Sequence, residues 1–140
     1  MKKKGICLGL LLMFLLAIGC MAQTAAADSQ SCANVIAEKM LTGLKEDNYA
    51  KFSEDFDQQM SNSLPAAEFA KISREIKGKI GDYIAKEFVS SEQKEQYSIF
   101  TYKAKFSQEV TDVVVRIVLT EADSKFLVSG FWLDSPNLRQ

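Results

Sequence analysis

The 140-residue sequence contains no histidine, only two prolines and a single tryptophan. Without histidine the chain lacks the commonest general base and the commonest metal ligand near neutral pH, which counts against most hydrolytic and zinc chemistries. Cys-x-x-Cys pairs and EF-hand spacing are also missing, and Gly78-Lys79-Ile80-Gly81 lacks the pattern of a phosphate loop, so neither a metal nor a cofactor is expected. With 17 basic against 18 acidic residues there is no electrostatic footprint for nucleic acid. Phe100 to Phe106 interleaves rings with lysines, but strand alternation sends the two sets to opposite faces, and no nucleic-acid partner is expected.

Only one long apolar run is present, and it lies at the start. Lys2, Lys3 and Lys4 precede an uncharged stretch from Gly5 to Gly19, the layout of a secretory signal over residues 1–19. As a helix that stretch would reach about 22 Å, short of a roughly 30 Å hydrocarbon core, so it does not read as a permanent span. Leu15-Leu16-Ala17-Ile18-Gly19-Cys20 resembles the lipobox of bacterial lipoproteins, although Ala17 stands where leucine or valine is commoner. The resemblance implies that Cys20 is the acylated N-terminus, tethered by several chains because one chain binds membranes only marginally. Met21, where an aspartate would signal inner-membrane retention, favours a lipoprotein of the outer membrane or facing the periplasm. Cleavage after Ala25-Ala26-Ala27 is the alternative, leaving a soluble exported protein that begins at Asp28.

Removal of the signal changes the arithmetic. From Asp28 onward 113 residues remain, enough for one core, with 14 basic and 18 acidic residues. Residues 20–30 are small and polar and read as a flexible tether, leaving a single domain over 31–140. Cys32 is then the lone thiol, expected on the apolar face of a helix as a small buried hydrophobe.

The domain divides into a helical half and a strand half. Cys32, Val35, Ile36, Met40 and Leu44 recur at helical spacing behind Ser31 as N-cap; Tyr49, Phe52 and Phe56 suggest a short second helix capped by Asp47 or Asn48. Gln58 to Ser63 reads as a loop or short edge strand. Leu64-Pro65 opens a third helix carrying Phe69, Ile72 and Ile76, with Gly78 as its stop. From Gly81 the period becomes two. Phe100, Tyr102, Ala104 and Phe106 share one strand face, as do Val113, Val115, Ile117 and Leu119. In the last strand Leu127, Phe131 and Leu133 oppose Phe126, Val128 and Trp132. Polar punctuation at 90–95, 107–109 and 122–125 suits hairpins. The expected fold is α+β, with N-terminal helices packed on a curved four-stranded antiparallel sheet.

That order of elements resembles the nuclear transport factor 2-like, or cystatin-like, cone superfamily. Leu44 to Tyr49, Phe52, Phe56-Asp57, Met60, Leu64-Pro65 and Gly81 resemble, more narrowly, a branch of bacterial secreted domains of unknown function, over roughly residues 32–134. The resemblance implies a cone whose wide end holds a small apolar ligand or docks a partner. Relatives in this superfamily often dimerise through the sheet, and some place a carboxylate and tyrosines inside the cone for acid-base chemistry.

Candidate chemistry is sparse. Asp112 and Arg116 form at most a surface pair, Glu87 is the carboxylate that inward burial would perturb, and Tyr83, Tyr97 and Tyr102 read as packed rings before proton donors. Glu54, Asp55 and Asp57 read as a solvated acidic face rather than a cation site. The remaining lead is aromatic. Phe126, Trp132, Phe100, Tyr102 and Phe131 are the candidate pocket or interface residues, lining the cone mouth or an exposed patch unless the last strand is buried on both faces. The resulting expectation is an exported binding domain, with an envelope enzyme or a dimerising structural protein as alternatives.

Overall fold

A computed structural model describes residues 21–140, with side chains from Asp28 onward. The signal segment and Cys20 lie outside the described residues. Four helices, α1 (Met21–Lys45), α2 (Tyr49–Phe52), α3 (Gln58–Ser63) and α4 (Ala66–Ile80), precede four strands, β1 (Tyr83–Lys94), β2 (Tyr97–Phe106), β3 (Val113–Ala122) and β4 (Lys125–Asp134). The strands form an antiparallel meander in the order β1-β2-β3-β4.

Helix α1 begins before the expected tether ends. Residues 21–30 are helical, so Ser31 lies inside the helix and caps nothing. The buried face is also rotated from the expected one. Ala33, Ile36, Ala37, Met40, Leu41 and Leu44 are buried, whereas Cys32 and Val35 are exposed. The expected stripe weighted large apolar side chains. The helix instead turns two alanines inward, where their small side chains let its backbone approach the sheet.

The link to α2 is a tight reversal. Asp47 adopts φ +55°, and Asn48 caps α2 by accepting the Lys51 N–H through its side-chain oxygen at 3.1 Å. Residues 58–63 form a helix and not the expected loop or edge strand, because Asp57 caps them by accepting the Met60 N–H at 2.7 Å. A polar segment with no apolar period hides such a helix from sequence. Helix α4 follows Pro65, runs through Gly78, and stops at Gly81, whose φ of +79° and ψ of −149° are adopted readily by glycine alone. Its buried positions are Phe69, Ser73, Ile76 and Ile80, leaving Ile72 40 % exposed.

Bulges curve the sheet. Register shifts leave Ile84 and Val89 as extra residues on edge strand β1, both exposed. The strand continues to Lys94, so residues 90–94 pair with β2 where a connection was expected, and the hairpin turns at Glu95 with φ +56°. The β3–β4 hairpin turns on Asp123 and Ser124, both with positive φ, which matches the twist of the flanking strands. The inner face carries Phe100, Tyr102, Ala104 and Phe106 of β2 and Val113, Val115, Ile117 and Leu119 of β3, as the alternation predicts.

Strand β4 departs from simple alternation. Leu119 pairs with Val128 but Val118 pairs with Gly130, so Ser129 is an inserted residue. One added residue exchanges the faces of everything beyond it. Phe126 and Val128 therefore share the inner side with Phe131 and Leu133, while Trp132 points outward beside Arg116. The expected grouping of Phe126 with Trp132 is corrected accordingly.

Gly43 marks a close backbone approach in the helical layer. A Cβ there would lie 2.7 Å from the Phe52 nitrogen and 3.1 Å from the Asn48 carbonyl oxygen. Neither atom belongs to a side chain that can rotate away. Gly43→Ala should cost about 1–3 kcal/mol by overpacking, read as a lowered urea midpoint with unchanged slope.

Candidate functional site

The end of β4 and helix α4 do not close on each other. Residues 55–57 dock on the β4 edge: the Val128 N–H donates to the Asp55 carbonyl at 2.6 Å, the Asp57 N–H donates to the Val128 carbonyl at 2.9 Å, and Ser129 donates its hydroxyl to the Asp57 carboxylate at 2.6 Å. Lys39 secures the same link from α1 through ion pairs to Glu54 and Asp55 at 2.8 and 2.7 Å. The acidic cluster is thus spent on positioning, and only Glu54 has the solvated character expected of all three.

Helix α4 packs on α1 and α2. Between α4 and the end of β4 lies a groove of about 310 Å³, lined by apolar side chains and one carboxylate, Glu75. Phe52, Phe69 and Phe131 form its aromatic floor, with Phe52 against Phe69 at 4.7 Å and perpendicular to Phe131 at 5.5 Å between ring centroids. Ile72 and Trp132 stand at its rim, Trp132 being 59 % exposed. Gly130 lets the indole lie back along its strand, since a Cβ there would meet the ring at 2.8 Å.

The five aromatic candidates are divided among three environments. Phe131 and Trp132 line the apolar groove. Phe100 and Phe126 lie at the opposite end, in a polar hollow of about 540 Å³ between Ser29 and the hairpins. Tyr102 lines neither hollow and is fully buried. The helical contributors Leu44, Met60, Leu64 and Ile76 were visible as apolar anchors, but their convergence on β4 depends on the Ser129 bulge, which no local pattern announced.

Polar candidates take structural positions. Glu87 is exposed, and Asp112 pairs with Lys105 instead of Arg116. Tyr83 donates to Glu38 at 2.8 Å, and Lys86 approaches the same carboxylate at 3.4 Å while its Nζ sits 5.4 Å from the Tyr102 ring centroid. Glu38 itself is exposed, so this carboxylate–tyrosine pair joins α1 to β1 at the surface. Among the described residues the Tyr102 hydroxyl is buried without a hydrogen-bond partner. A third depression holds Asp47 beside Arg74, where hydrogen bonds from Lys77 and Ser73 hold the Asp47 carboxyl below its ordinary range. Among the described residues no cluster of three or more potential ligands is placed to hold a metal ion.

A family described as protein of unknown function (DUF3887) matches residues 37–125. The chain belongs to the DUF3887 family. Among solved structures, the DUF3887 domain is similar to a nuclear transport factor 2-like designed protein carrying five substitutions, at 12 % identity and a TM-score of 0.53 over 76 % of this chain and all of that one. A DUF4783 family protein from Bacteroides ovatus aligns at 11 % identity and a TM-score of 0.46, over 71 % of this chain and 94 % of that one. No curated protein matches the sequence. The fold is the nuclear transport factor 2-like cone of the α+β class.

Two inner-face tyrosines give the domain an alkaline limit. Burial pushes Tyr102 up to about 12, and burial together with the Glu38 carboxylate raises Tyr83 further. Both folded values exceed the unfolded value near 10, so their contribution is complete below about pH 10 and is lost as pH rises above it. Stability should fall by about 1.4 kcal/mol per pH unit for each tyrosine in that window. Tyr102→Phe should remove one share of the slope and, by deleting an unsatisfied hydroxyl, raise stability at neutral pH by about 1 kcal/mol. Urea denaturation between pH 7 and 11.5 measures both effects.

Proposed function

We propose that this DUF3887 domain is an exported, membrane-tethered binding module that takes a small apolar ligand into the groove between α4 and β4. The observation that carries the reading is the groove's composition. Apart from Glu75 its lining is apolar, and its volume of about 310 Å³ suits a small molecule. A cleft of this size that stays lined with phenylalanine, leucine and isoleucine side chains gains stability when an apolar solute displaces its water.

The enzyme alternative requires a carboxylate beside a tyrosine hydroxyl within a deep pocket. Among the described residues, Glu38 meets Tyr83 at the surface, and the buried Tyr102 hydroxyl bonds to no carboxylate. Binding is therefore the better-supported use of the cone. A second reading rests on the outer sheet face, where Ile99, Val114, Val118 and Trp132 form an apolar stripe uncovered among the described residues. Lys103 and Arg116 stand with Glu92 and Asp134 around it, a mixed-sign rim that suits a second copy of the chain. Sedimentation showing monomer alone at every concentration removes that reading.

Trp132 is the sole tryptophan and borders both the groove and the outer sheet face, so its emission reports events at that end of β4. Titration with the apolar dye N-phenyl-1-naphthylamine should brighten the dye and quench Trp132. Ile72→Glu, a rim change at a partly exposed position, should weaken binding by about tenfold or more through lost apolar contact. An unaltered Trp132 signal, or equal binding by the variant, refutes the groove as the site.

The tether has a separate test. Cys20→Ala should abolish lipid-labelled, membrane-associated protein if Cys20 is acylated. Unchanged fractionation identifies cleavage near Asp28 instead. Among the described residues no helix is long and apolar enough to cross a membrane.

A further inference from the structure

We infer that Leu138 is a gauge that sets how long an apolar ligand the groove accepts, a refinement that rests on the groove being the binding site. After β4 the chain turns across the groove's end, and Leu138 joins Ile76, Trp132 and Leu133 in its lining. Leu138 is only partly buried, packed against the core from outside.

Its backbone is held by polar groups that do not depend on the leucine side chain. The Glu109 carboxylate accepts the Asn137 N–H at 3.1 Å, and the Ser135 hydroxyl accepts the Leu138 N–H at 3.3 Å. Arg139 closes the turn with two hydrogen bonds to the Asp134 carboxylate. Lys79 reaches across from α4 to the Leu138 carbonyl at 3.4 Å, so the segment spans from the strand wall to the helix wall. The chain after β4 thus crosses a groove that is apolar apart from Glu75, and Leu138 is the side chain of that segment in its lining. Trimming that side chain lengthens the channel while the contacts that hold the segment remain.

The experiment uses a series of neutral straight-chain alcohols, read by Trp132 emission and calorimetry. In the natural protein each added methylene should tighten binding about fourfold up to a limiting length, beyond which affinity stops rising. Leu138→Ala should move that limit out by about three carbons, the number removed from the side chain. Leu138→Met, of similar volume, should keep the natural limit. Circular dichroism confirms that each variant is folded. An identical limit in folded Leu138→Ala and the natural protein overturns the gauge while leaving the groove intact. If no alcohol binds any of the proteins, the groove reading falls and the gauge falls with it.

Discussion

The single residue inserted at Ser129 is the constraint on which the rest of the architecture turns. An antiparallel strand with strict alternation would put Phe131 and Leu133 on the opposite face from Val128. The insertion brings all three onto the core side and throws Trp132 outward. The same residue hydrogen-bonds Asp57, while the backbone of Val128 exchanges bonds with residues 55 and 57. A local irregularity in the sheet therefore anchors residues 55–57, just before α3, and sets which side chains of β4 face the helices. It also occupies backbone groups on β4 that an open edge would leave for another chain.

The helical layer divides its labour around that anchor. With Ala33 and Ala37 buried, α1 lies against the sheet and contacts β1 and β3. Tyr102 is buried on the inner face of β2, and among the described residues its hydroxyl has no hydrogen-bond partner. At the other end of α1, Gly43 permits the α2 backbone to fold back tightly, and Asp47 fastens the turn to α4 through Ser73 and Lys77. With α4 committed to α1 and α2, its Phe69–Ile76 face stands over the last residues of β4 without filling the space between them. The groove is what remains when α1 has taken the rest of the inner face.

The sequence carried much of this where periodicity is strong. Phe100 to Phe106 and Val113 to Leu119 declare their inner faces by alternation, and the chain order of helices followed by a meander is enough to place the fold in the cone class. It fails where a side-chain hydrogen bond or a backbone irregularity decides. Asp57 makes a helix of a polar segment, Gly81 rather than Gly78 ends α4, and Ala33 with Ala37 outrank the larger Val35 because closeness to the sheet matters more than apolar surface. Of the aromatic candidates, Phe131 and Trp132 do meet at the groove, on either side of a strand that bends around a bulge. Phe100 and Phe126 sit at the far end because burial and strand position, not aromaticity, determine which hollow a ring reaches.

The distribution of polar groups bears on how such a site would discriminate among ligands. Asp57, Lys39, Asp47, Lys77 and Glu109 are all engaged in fastening one segment of the chain to another. Only Glu75 contributes charge to the groove lining, and it already pairs with Lys79 at 3.1 Å in an exposed setting. A pocket built to recognise a functional group aims several donors or acceptors at one point, because an unpaired buried partner penalises the wrong ligand heavily. Here the walls supply area and shape but little directional bonding. Discrimination by apolar walls is limited to about 1–3 kcal/mol per methylene gained or refused. In such a site selectivity would have to come from the length and width of the cavity, and the residues that close its ends would then be as consequential as those that line its floor.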